Sequence, residues 1–469
     1  MVKYICISDL HLGEEDSLFT NLEKEKDKVD PLRPSKVAQL FSECIYEILK
    51  NQKEPPTLII LGDGLELALS TLNISAMVFE RFLEVTSGLF KKIIYIPGNH
   101  DHHIWEVARE VQYAEYIKRK HSWGSYLPQA WHHTGMIDGI SYSSLEPVFM
   151  KSLISRNEKF GDIPIWIAYP NFCLMDREKK RAIFFHHGHL TEKLYLLMSI
   201  IRRVLFQDLS IEKAIEDIYS MSIDEIEGEN FAWIDFFWSS MGREKKVGEK
   251  VESIYEKLQV AESFKDLIGR IAKALSKIYD IPWIPGDFLE EKVLRKVLSL
   301  LLRKAKQERG YSKKALSKDA EKCLKAYISG PLLRQFREEA EDDPDQYDIT
   351  FIFGHTHKPF SDFIKAGKRI KVYNTGGWTV DTIYPNPLYG GSVIFIDEGL
   401  NVISFNMFLQ GVHSFPSIKE LSSPDEEESS LYRLFSEIQF EKGSWKRFSS
   451  TVQNAISIRA CYMKERVLS

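Results

Sequence analysis

The stretch Ile93-Ile94-Tyr95-Ile96-Pro97-Gly98-Asn99-His100-Asp101 places three polar side chains directly after a short apolar run. A run of β-branched and aromatic residues that ends at Pro and Gly predicts a buried strand. In open α/β sheets, functional side chains gather where such strands end. We therefore expect Asn99 and His100 to face an active-site crevice, together with side chains from other strands.

Four other predicted strands also end in polar clusters. These clusters are Asp9-Leu10-His11 after residues 2–8, Gly62-Asp63 after residues 57–61, His186-His187-Gly188-His189 after residues 182–185, and Gly354-His355-Thr356-His357 after residues 349–353. Apolar residues at helical spacing over 36–50 and 74–87 separate the first strands. This alternation, with the polar cluster always at the C-terminal end of the strand, predicts an α/β layered domain.

Other parts of the chain have less regular patterns. Residues 105–120 have helical spacing, whereas residues 132–142 and 163–173 resemble strands. Further strands are expected around Lys371, Val393 and Val402.

The length of 469 residues exceeds one ordinary core, which favours more than one structural unit. Residues 191–345 carry little strand pattern and many apolar residues at helical spacing, so we expect a large all-helical insertion that acts as a cap or lid. The catalytic domain would then comprise residues 1–190 and 346–410. Residues 411–469 are expected to form a solvated linker and a C-terminal helical tail.

Composition narrows the class of protein. An apolar content of 44% and a net charge of -5 exclude a wholly disordered chain and give no overall reason to expect nucleic-acid binding. The five cysteines have no paired spacing, which argues against a disulfide framework or a thiolate zinc site. We expect a cytoplasmic protein without a membrane span. Peripheral association with a membrane surface is compatible with this expectation.

The clusters at the strand ends suit metal binding. A lone His or Asp at a strand end commonly serves a turn, but five such clusters in one chain do not fit that explanation. Oxygen and nitrogen ligands without thiolate suit divalent manganese, with iron or zinc as alternatives. Two neighbouring ions need a carboxylate that bridges them, and Asp63 is the candidate.

The order Asp-x-His, Gly-Asp, Gly-Asn-His-Asp, His-Gly and Gly-His-x-His across residues 9–357 resembles the calcineurin-like metallophosphoesterase family. The resemblance implies two mixed β-sheets packed face to face and flanked by helices. It also implies two ion sites, whose ligands would be Asp9, His11, Asp63 and His357 for one and Asp63, Asn99, His187 and His355 for the other. His187 is chosen over His186 and His189 because the family's ligand directly precedes Gly.

The expected mechanism follows from two ions about 3.5–4 Å apart, which clamp a phosphoryl group and activate a hydroxide for attack on phosphorus. His100 stands beside a ligand without being needed as one, so it is the candidate to protonate the leaving oxygen. Family members commonly place Asp three residues after the bridging Asp to orient such a His. This chain has Glu66 there, and Asp101 is the second candidate partner.

We therefore expect a dinuclear phosphoesterase that cleaves a phosphomonoester, phosphodiester or pyrophosphate bond. Residues 8–13 most resemble the UDP-2,3-diacylglucosamine pyrophosphatases, but those enzymes typically carry Arg at the position of His100, which favours an ordinary phosphoesterase. A nuclease similar to the double-strand-break repair nucleases is one alternative. A non-catalytic metal-binding scaffold is the other.

Two features of the predicted insertion each allow more than one interpretation. The aromatic residues Phe231, Trp233, Phe236, Phe237 and Trp238 would form either the insertion core or a lid over an apolar part of the substrate. Residues 291–318 hold ten Lys and Arg against two Glu. This basic helix would be a solvated face, or it would contact a nucleic-acid backbone or an anionic membrane surface.

Overall fold

The computed structural model describes residues 1–119, 124–160, 163–207, 209–240, 315–422 and 428–468. Its strands form two sheets. In chain order the strands are β1 Val2–Ile7, β2 Thr57–Leu61, β3 Lys92–Ile96, β4 Ile165–Ile167, β5 Asn171–Asp176, β6 Arg181–His186, β7 Asp348–Phe353, β8 Phe360–Ala366, β9 Lys368–Asn374, β10 Gly390–Asp397, β11 Val402–Leu409 and β12 Ser417–Glu420.

Both sheets are mixed. The seven-stranded sheet has the order β12-β11-β10-β1-β2-β3-β4, in which β1 to β4 are parallel and β10 to β12 are antiparallel. The five-stranded sheet has the order β5-β6-β7-β9-β8, with the parallel strands β6, β7 and β9 in the middle. Parallel strands start and end at the same edges, so the predicted polar clusters of each sheet meet at one edge.

The two sheets pack face to face. One apolar cluster joins Ile59 and Leu61 of β2 to Phe185 of β6 and Ile352 of β7. Because side chains alternate along a strand, the intervening residues of β2 face the helices on the other side of the sheet. The predicted architecture of two mixed sheets between helices is therefore confirmed.

The helices cover the outer faces of the sheets. Their bounds are α1 Lys36–Leu49, α2 Leu72–Val85, α3 His102–Arg119, α4 Val148–Ser155, α5 Leu197–Phe206, α6 Ile211–Ile218, α7 Ile223–Trp233, α8 Lys318–Tyr327, α9 Leu333–Ala340, α10 Ser430–Ser436 and α11 Gly443–Leu468. Helices α1, α2 and α3 share a core with the seven-stranded sheet, and α5 to α9 share one with the five-stranded sheet.

One local prediction is wrong. Residues 132–142, which resemble a strand in sequence, contain only an isolated bridge from Ile137 to Cys173. Gly135 and Gly139 interrupt the alternation, and Gly139 adopts a positive φ of 76° that ends extended structure.

The described parts of residues 191–345 contain helices joined by turns and no strand, and they include two π-helical turns at Ile234–Ser240 and Ile328–Leu332. Residues 241–314, which hold most of the basic stretch 291–318, lie outside the described residues. The division into domains therefore stays a prediction. Among the aromatic residues, Phe231 and Trp238 are buried, Trp233 is half-buried and Phe236 is exposed, while the side chain of Phe237 also lies outside the description.

The C-terminal residues pack onto the seven-stranded sheet. Strand β12 extends this sheet by pairing with β11, and Trp445 and Phe448 of α11 enter the core on its outer face. The buried Arg459 of α11 donates hydrogen bonds to the carbonyl oxygens of Ser17 at 3.0 Å and Thr20 at 2.6 Å. Helix α11 thus holds the loop that follows His11.

Removal of the Arg459 side chain should destabilise the protein. The Arg459→Ala variant leaves two carbonyl oxygens without this donor, so we expect the free energy of unfolding to fall by about 3 kcal/mol in urea titrations. The control is Arg447→Ala on the same helix, which removes an exposed ion pair with Glu43 and should cost less than about 0.5 kcal/mol. Equal effects of the two variants would contradict the anchoring role.

A buried carboxyl group joins α7 to the sheets. Glu227 accepts a hydrogen bond of 2.9 Å from the Tyr169 hydroxyl, which lies between β4 and β5, and its other oxygen has no partner among the described residues. Burial raises the pKa of Glu227 to about 8 in spite of this hydrogen bond. The folded protein therefore keeps a proton on Glu227 at neutral pH, whereas the unfolded chain releases it.

This proton makes a testable contribution to stability. Between pH 5 and 7.5 the folded state binds more protons at Glu227 than the unfolded state, so stability should fall with rising pH by about 1.4 kcal/mol per unit from this group. Glu227→Gln cannot titrate and should gain stability relative to the wild type as pH rises, as measured by urea unfolding at several pH values. The control Glu225→Gln removes an exposed helix-capping carboxylate. Parallel pH profiles of the wild type and Glu227→Gln would refute the expectation.

Candidate metal centre

The predicted site residues meet where the C-terminal ends of β1, β2, β3, β6 and β7 approach one another. Each strand is followed at once by its polar cluster, and the residues are buried or nearly so. The seven side chains that come together are Asp9, His11, Asp63, Asn99, His187, His355 and His357. The site therefore lies between the two sheets, and each sheet supplies part of it.

The backbone at this site is strained. The described residues include nine non-glycine positions with positive φ, and five of these belong to the predicted ligands. Those five are Asp9 at 52°, His11 at 44°, Asp63 at 48°, His355 at 68° and His357 at 54°. Non-glycine residues rarely adopt this conformation, and such strain concentrates where function requires it. The strain is thus concentrated at the strand ends that the sequence indicates as a candidate site.

Backbone hydrogen bonds hold the first two loops side by side. The Asp9 amide donates to the Gly62 carbonyl at 3.0 Å, and the His11 amide donates to the Asp63 carbonyl at 2.9 Å. Glycine is needed here because a Cβ on Gly62 would overlap the His187 ring. The pairing of β1 and β2 thus continues beyond the strands and sets the positions of three predicted ligands.

Asp9, His11 and His357 form one group whose ligand atoms lie within 4.8 Å of one another. The Nε2 atoms of His11 and His357 are 3.3 Å apart, and His357 Nε2 is 3.3 Å from Asp9 Oδ1. The Asp9 carboxylate also accepts the His355 amide hydrogen at 3.0 Å. This group contains three of the four residues expected for the first ion.

Asp63, His187 and His355 form a second group within the same distance limit. His187 Nε2 lies 3.1 Å from Asp63 Oδ2 and 3.2 Å from Asn99 Oδ1, and His355 Nδ1 lies 3.3 Å from His187 Nε2. These are the four residues expected for the second ion.

Asp63 lies between the two groups. Its Oδ2 atom is 3.1 Å from His187 Nε2 on one side and 3.8 Å from His11 Nε2 on the other. Its Oδ1 atom accepts the His100 amide hydrogen at 2.8 Å, which fixes the carboxylate plane. The geometry is suited to a carboxylate that bridges two ions.

Carboxylates stand behind two histidines of the first group. His11 Nδ1 is 2.7 Å from Glu66 Oε2, and His357 Nδ1 is 2.6 Å from Asp381 Oδ1. A carboxylate in this position favours hydrogen on the outer nitrogen and directs the inner nitrogen at the metal. His11 and His357 therefore present Nε2 to the site.

The histidines of the second group have different partners. His187 Nδ1 is 3.0 Å from the Leu61 carbonyl oxygen, so this ring also presents Nε2. His355 is turned the other way, because its Nε2 lies 3.3 Å from Glu192 Oε1 and its Nδ1 faces His187. Asp381 and Glu192 could not be predicted from the sequence, since no local pattern connects them to the histidines that they contact.

Glu66 lies between two histidines. Besides His11, it contacts His100, whose Nδ1 is 3.0 Å from Glu66 Oε1. The amides of Ala68 and Leu69 donate to Oε1 at 2.8 Å each. Burial by itself would raise the pKa of Glu66, but the charges and hydrogen bonds of His100 and His11 outweigh it and lower this pKa to about 2. The carboxylate is therefore ionised, and it orients both rings.

Asp101, the second candidate partner of His100, faces the backbone instead. Its carboxylate accepts hydrogen bonds from the amides of Gly64 at 2.8 Å and Gly98 at 2.6 Å, and from the Tyr95 hydroxyl. This residue braces the loops after β2 and β3 against each other.

His186 and His189, over which His187 is chosen as the expected ligand, are both fully buried. The His186 ring packs 4.7 Å from that of Tyr327, and His189 Nε2 is 3.3 Å from the Tyr169 hydroxyl. Burial lowers the pKa of both imidazoles. Neither histidine belongs to a metal-ligand group among the described residues.

The charges of the site suit divalent cations. Burial would raise the pKa of Asp63, but the neighbouring imidazoles of His187, His100 and His11 hold it well below its usual value. Conversely, Asp63 raises the pKa of His187 to about 9 against the effect of burial. Protons on histidine thus balance the buried carboxylates, and divalent ions would displace them. The convergent oxygen and nitrogen atoms, with no thiolate among them, fit such ions.

Comparison with protein-family models relates the chain to known proteins. A family model described as calcineurin-like phosphoesterase matches residues 2–238, which is half of the chain. The matched range contains the predicted ligands from Asp9 to His187, whereas His355 and His357 lie beyond it. A search of curated proteins found no match.

No helix in the described ranges is long and apolar enough to cross a bilayer.

Substitution of Asp63 tests the bridge. Asp63→Asn keeps the shape of the side chain but removes its charge, so we expect the affinity for both ions to fall together, each by at least about tenfold. Metal content after dialysis against buffered Mn²⁺ measures this. The control Asp397→Asn changes a carboxylate in a tight turn at the opposite end of the seven-stranded sheet and should leave both ions bound. Selective loss of one ion would reject the bridge.

Proposed function

Because the chain belongs to the calcineurin-like phosphoesterase family, we propose that it hydrolyses a phosphomonoester, phosphodiester or pyrophosphate bond with two divalent ions. The observation that carries this proposal is the pair of ligand groups on either side of Asp63. One ion would be held by Asp9, His11, Asp63 and His357, and the other by Asp63, Asn99, His187 and His355. Manganese is the proposed metal, with iron or zinc as alternatives, because all of these ligands are oxygen or nitrogen.

The ions, when bound, would supply a water of lowered pKa and compensate charge on the phosphoryl oxygens. The protein itself orients the side chains that would hold the ions. Hydrogen bonds at the outer nitrogens fix the rings of His11, His187 and His357. The outer nitrogen of His355 lies 3.3 Å from Glu192 Oε1. The rings therefore lose little conformational freedom when a substrate binds.

His100 is the proposed proton donor to the leaving oxygen. It follows the ligand Asn99 directly, and its ring lies 4.8 Å from that of His11, so it borders the first ion site. Contact between its Nδ1 and Glu66 directs Nε2 away from that carboxylate. An anionic partner of this kind also stabilises positive charge on an imidazole, which is the form that gives up a proton.

The test uses the metal-loaded protein with aryl phosphate mono- and diesters. We expect Mn²⁺-dependent turnover, and His100→Gln should lose about 10²–10⁴-fold of it while keeping both ions. The exposed His413 offers the control His413→Gln, which should keep full activity. Loss of both ions from His100→Gln would mean that His100 is a ligand and not the acid.

Other results would favour the alternative functions. Salt-sensitive binding and degradation of DNA or RNA would favour a nuclease. Absence of turnover with every substrate class, together with full cellular function of Asp63→Asn, would favour a metal-binding scaffold and overturn the enzymatic proposal.

A further inference from the structure

Helix α3 starts at His102, immediately after the Asn99-His100-Asp101 turn. The first amides of a helix have no partner within the helix, so they need acceptors from elsewhere. Asp101 is adjacent in sequence, but its carboxylate is engaged with the amides of Gly64 and Gly98. The Asp101 carbonyl accepts the Ile104 amide hydrogen at 3.0 Å, so it is the acceptor for the His103 amide that comes from another part of the chain.

The cap comes from the π-helical turn Ile234–Ser240, which follows α7. The His103 amide donates a hydrogen bond of 2.9 Å to Ser239 Oγ. Asp235 Oδ1 lies 3.2 Å from His103 Nδ1 and 3.4 Å from His102 Nδ1. Asp235 and Ser239 together form what we call the α3 cap.

The π-helical turn fixes this cap. Its wider winding brings the Ser240 hydroxyl, five residues along, within 3.2 Å of Asp235 Oδ2, to which it donates. Burial would raise the pKa of Asp235, but hydrogen bonds from His102 and His103 outweigh it and lower this pKa. An ionised carboxylate at the N-terminus of an 18-residue helix also interacts favourably with the helix dipole.

Ser239 is the buried part of the cap, whereas the Asp235 side chain stays 15% exposed. His102 and Ser239 are fully buried, and the Phe231 ring packs edge-on against His102 at 4.8 Å. Hydrogen bonds that are shielded in this way are costly to break, because no solvent replaces the lost partner.

The cap is connected to the metal centre through only a few backbone bonds. Two residues separate Asn99 from His102, and the same turn carries His100. On the side of the site, this turn is held by the His100 amide bond to Asp63 and by the Leu67 amide bond to the His100 carbonyl at 3.3 Å. On the other side it is held by the first turn of α3. Displacement of that helix would therefore shift both Asn99 and His100.

We propose that Asp235 and Ser239 are positioning residues, which cap α3 and thereby hold the Asn99-His100 turn in register with Asp63 and Glu66. This inference rests on the proposed phosphoesterase function, and it assigns part of that function to residues far from the strand-end motifs. The chain segment after α7 is then needed for catalysis even where it touches no substrate.

The test compares Asp235→Asn, Ser239→Ala and the control Asp224→Asn. Asp224 also lies on the segment that includes α7 and accepts the His132 amide hydrogen at 3.0 Å, but it does not touch α3 in the described contacts. We expect hydrogen exchange in residues 98–106 to accelerate about fivefold in the two cap variants, in line with the loss of a helix cap. In excess Mn²⁺, turnover of an aryl phosphate should fall about tenfold in kcat, with KM changed less than twofold.

Two outcomes would overturn the proposal: unchanged exchange in residues 98–106, or an equal increase throughout the chain as expected from general destabilisation. Ser239→Ala removes a single hydroxyl, so it keeps the proposal testable if Asp235→Asn does not fold. If the wild-type protein shows no turnover, the proposed function fails. The exchange experiment still decides whether the cap positions the turn, because it does not depend on activity.

Discussion

The carboxylate of Asp63 is the contact on which the rest of the site depends. It follows a strand of the seven-stranded sheet, faces His187 from the five-stranded sheet and accepts the amide hydrogen of His100. Such close approach requires glycine at two neighbouring positions, because a Cβ on Gly62 would overlap His187 and one on Gly98 would overlap Asp63. The strained backbone of Asp63 is tolerated because both sheets and their loops constrain it.

Regions beyond the strand-end motifs stabilise the loops that carry those motifs. Arg459 near the C-terminus binds the loop after His11, and Asp235 binds the first turn of the helix after Asn99. Glu192, three residues after His189, contacts His355. The loops of the site are therefore supported from outside, which explains how a strained and highly charged centre can keep one geometry.

The sequence predicts those parts of the site that are determined by short stretches of the chain. Each motif directly follows an apolar strand, and parallel strands bring their ends together, so the grouping of Asp9, Asp63 and Asn99 could be predicted. Contacts between distant segments of the chain could not be predicted from the sequence. Asp381 and Glu192 lie 24 and 163 residues from the histidines that they face. Residues 132–142 resemble a strand in sequence, but Gly135 and Gly139 interrupt the pattern, and the positive φ of Gly139 ends extended structure.

The most direct test of this account is a crystal structure of the manganese-loaded protein with anomalous scattering data that locate the ions. We predict two ions about 3.5–4 Å apart with one carboxylate, that of Asp63, between them. His355 should coordinate through Nδ1, and His11, His187 and His357 should coordinate through Nε2. A single ion, or two ions that Asp63 does not join, would contradict the account.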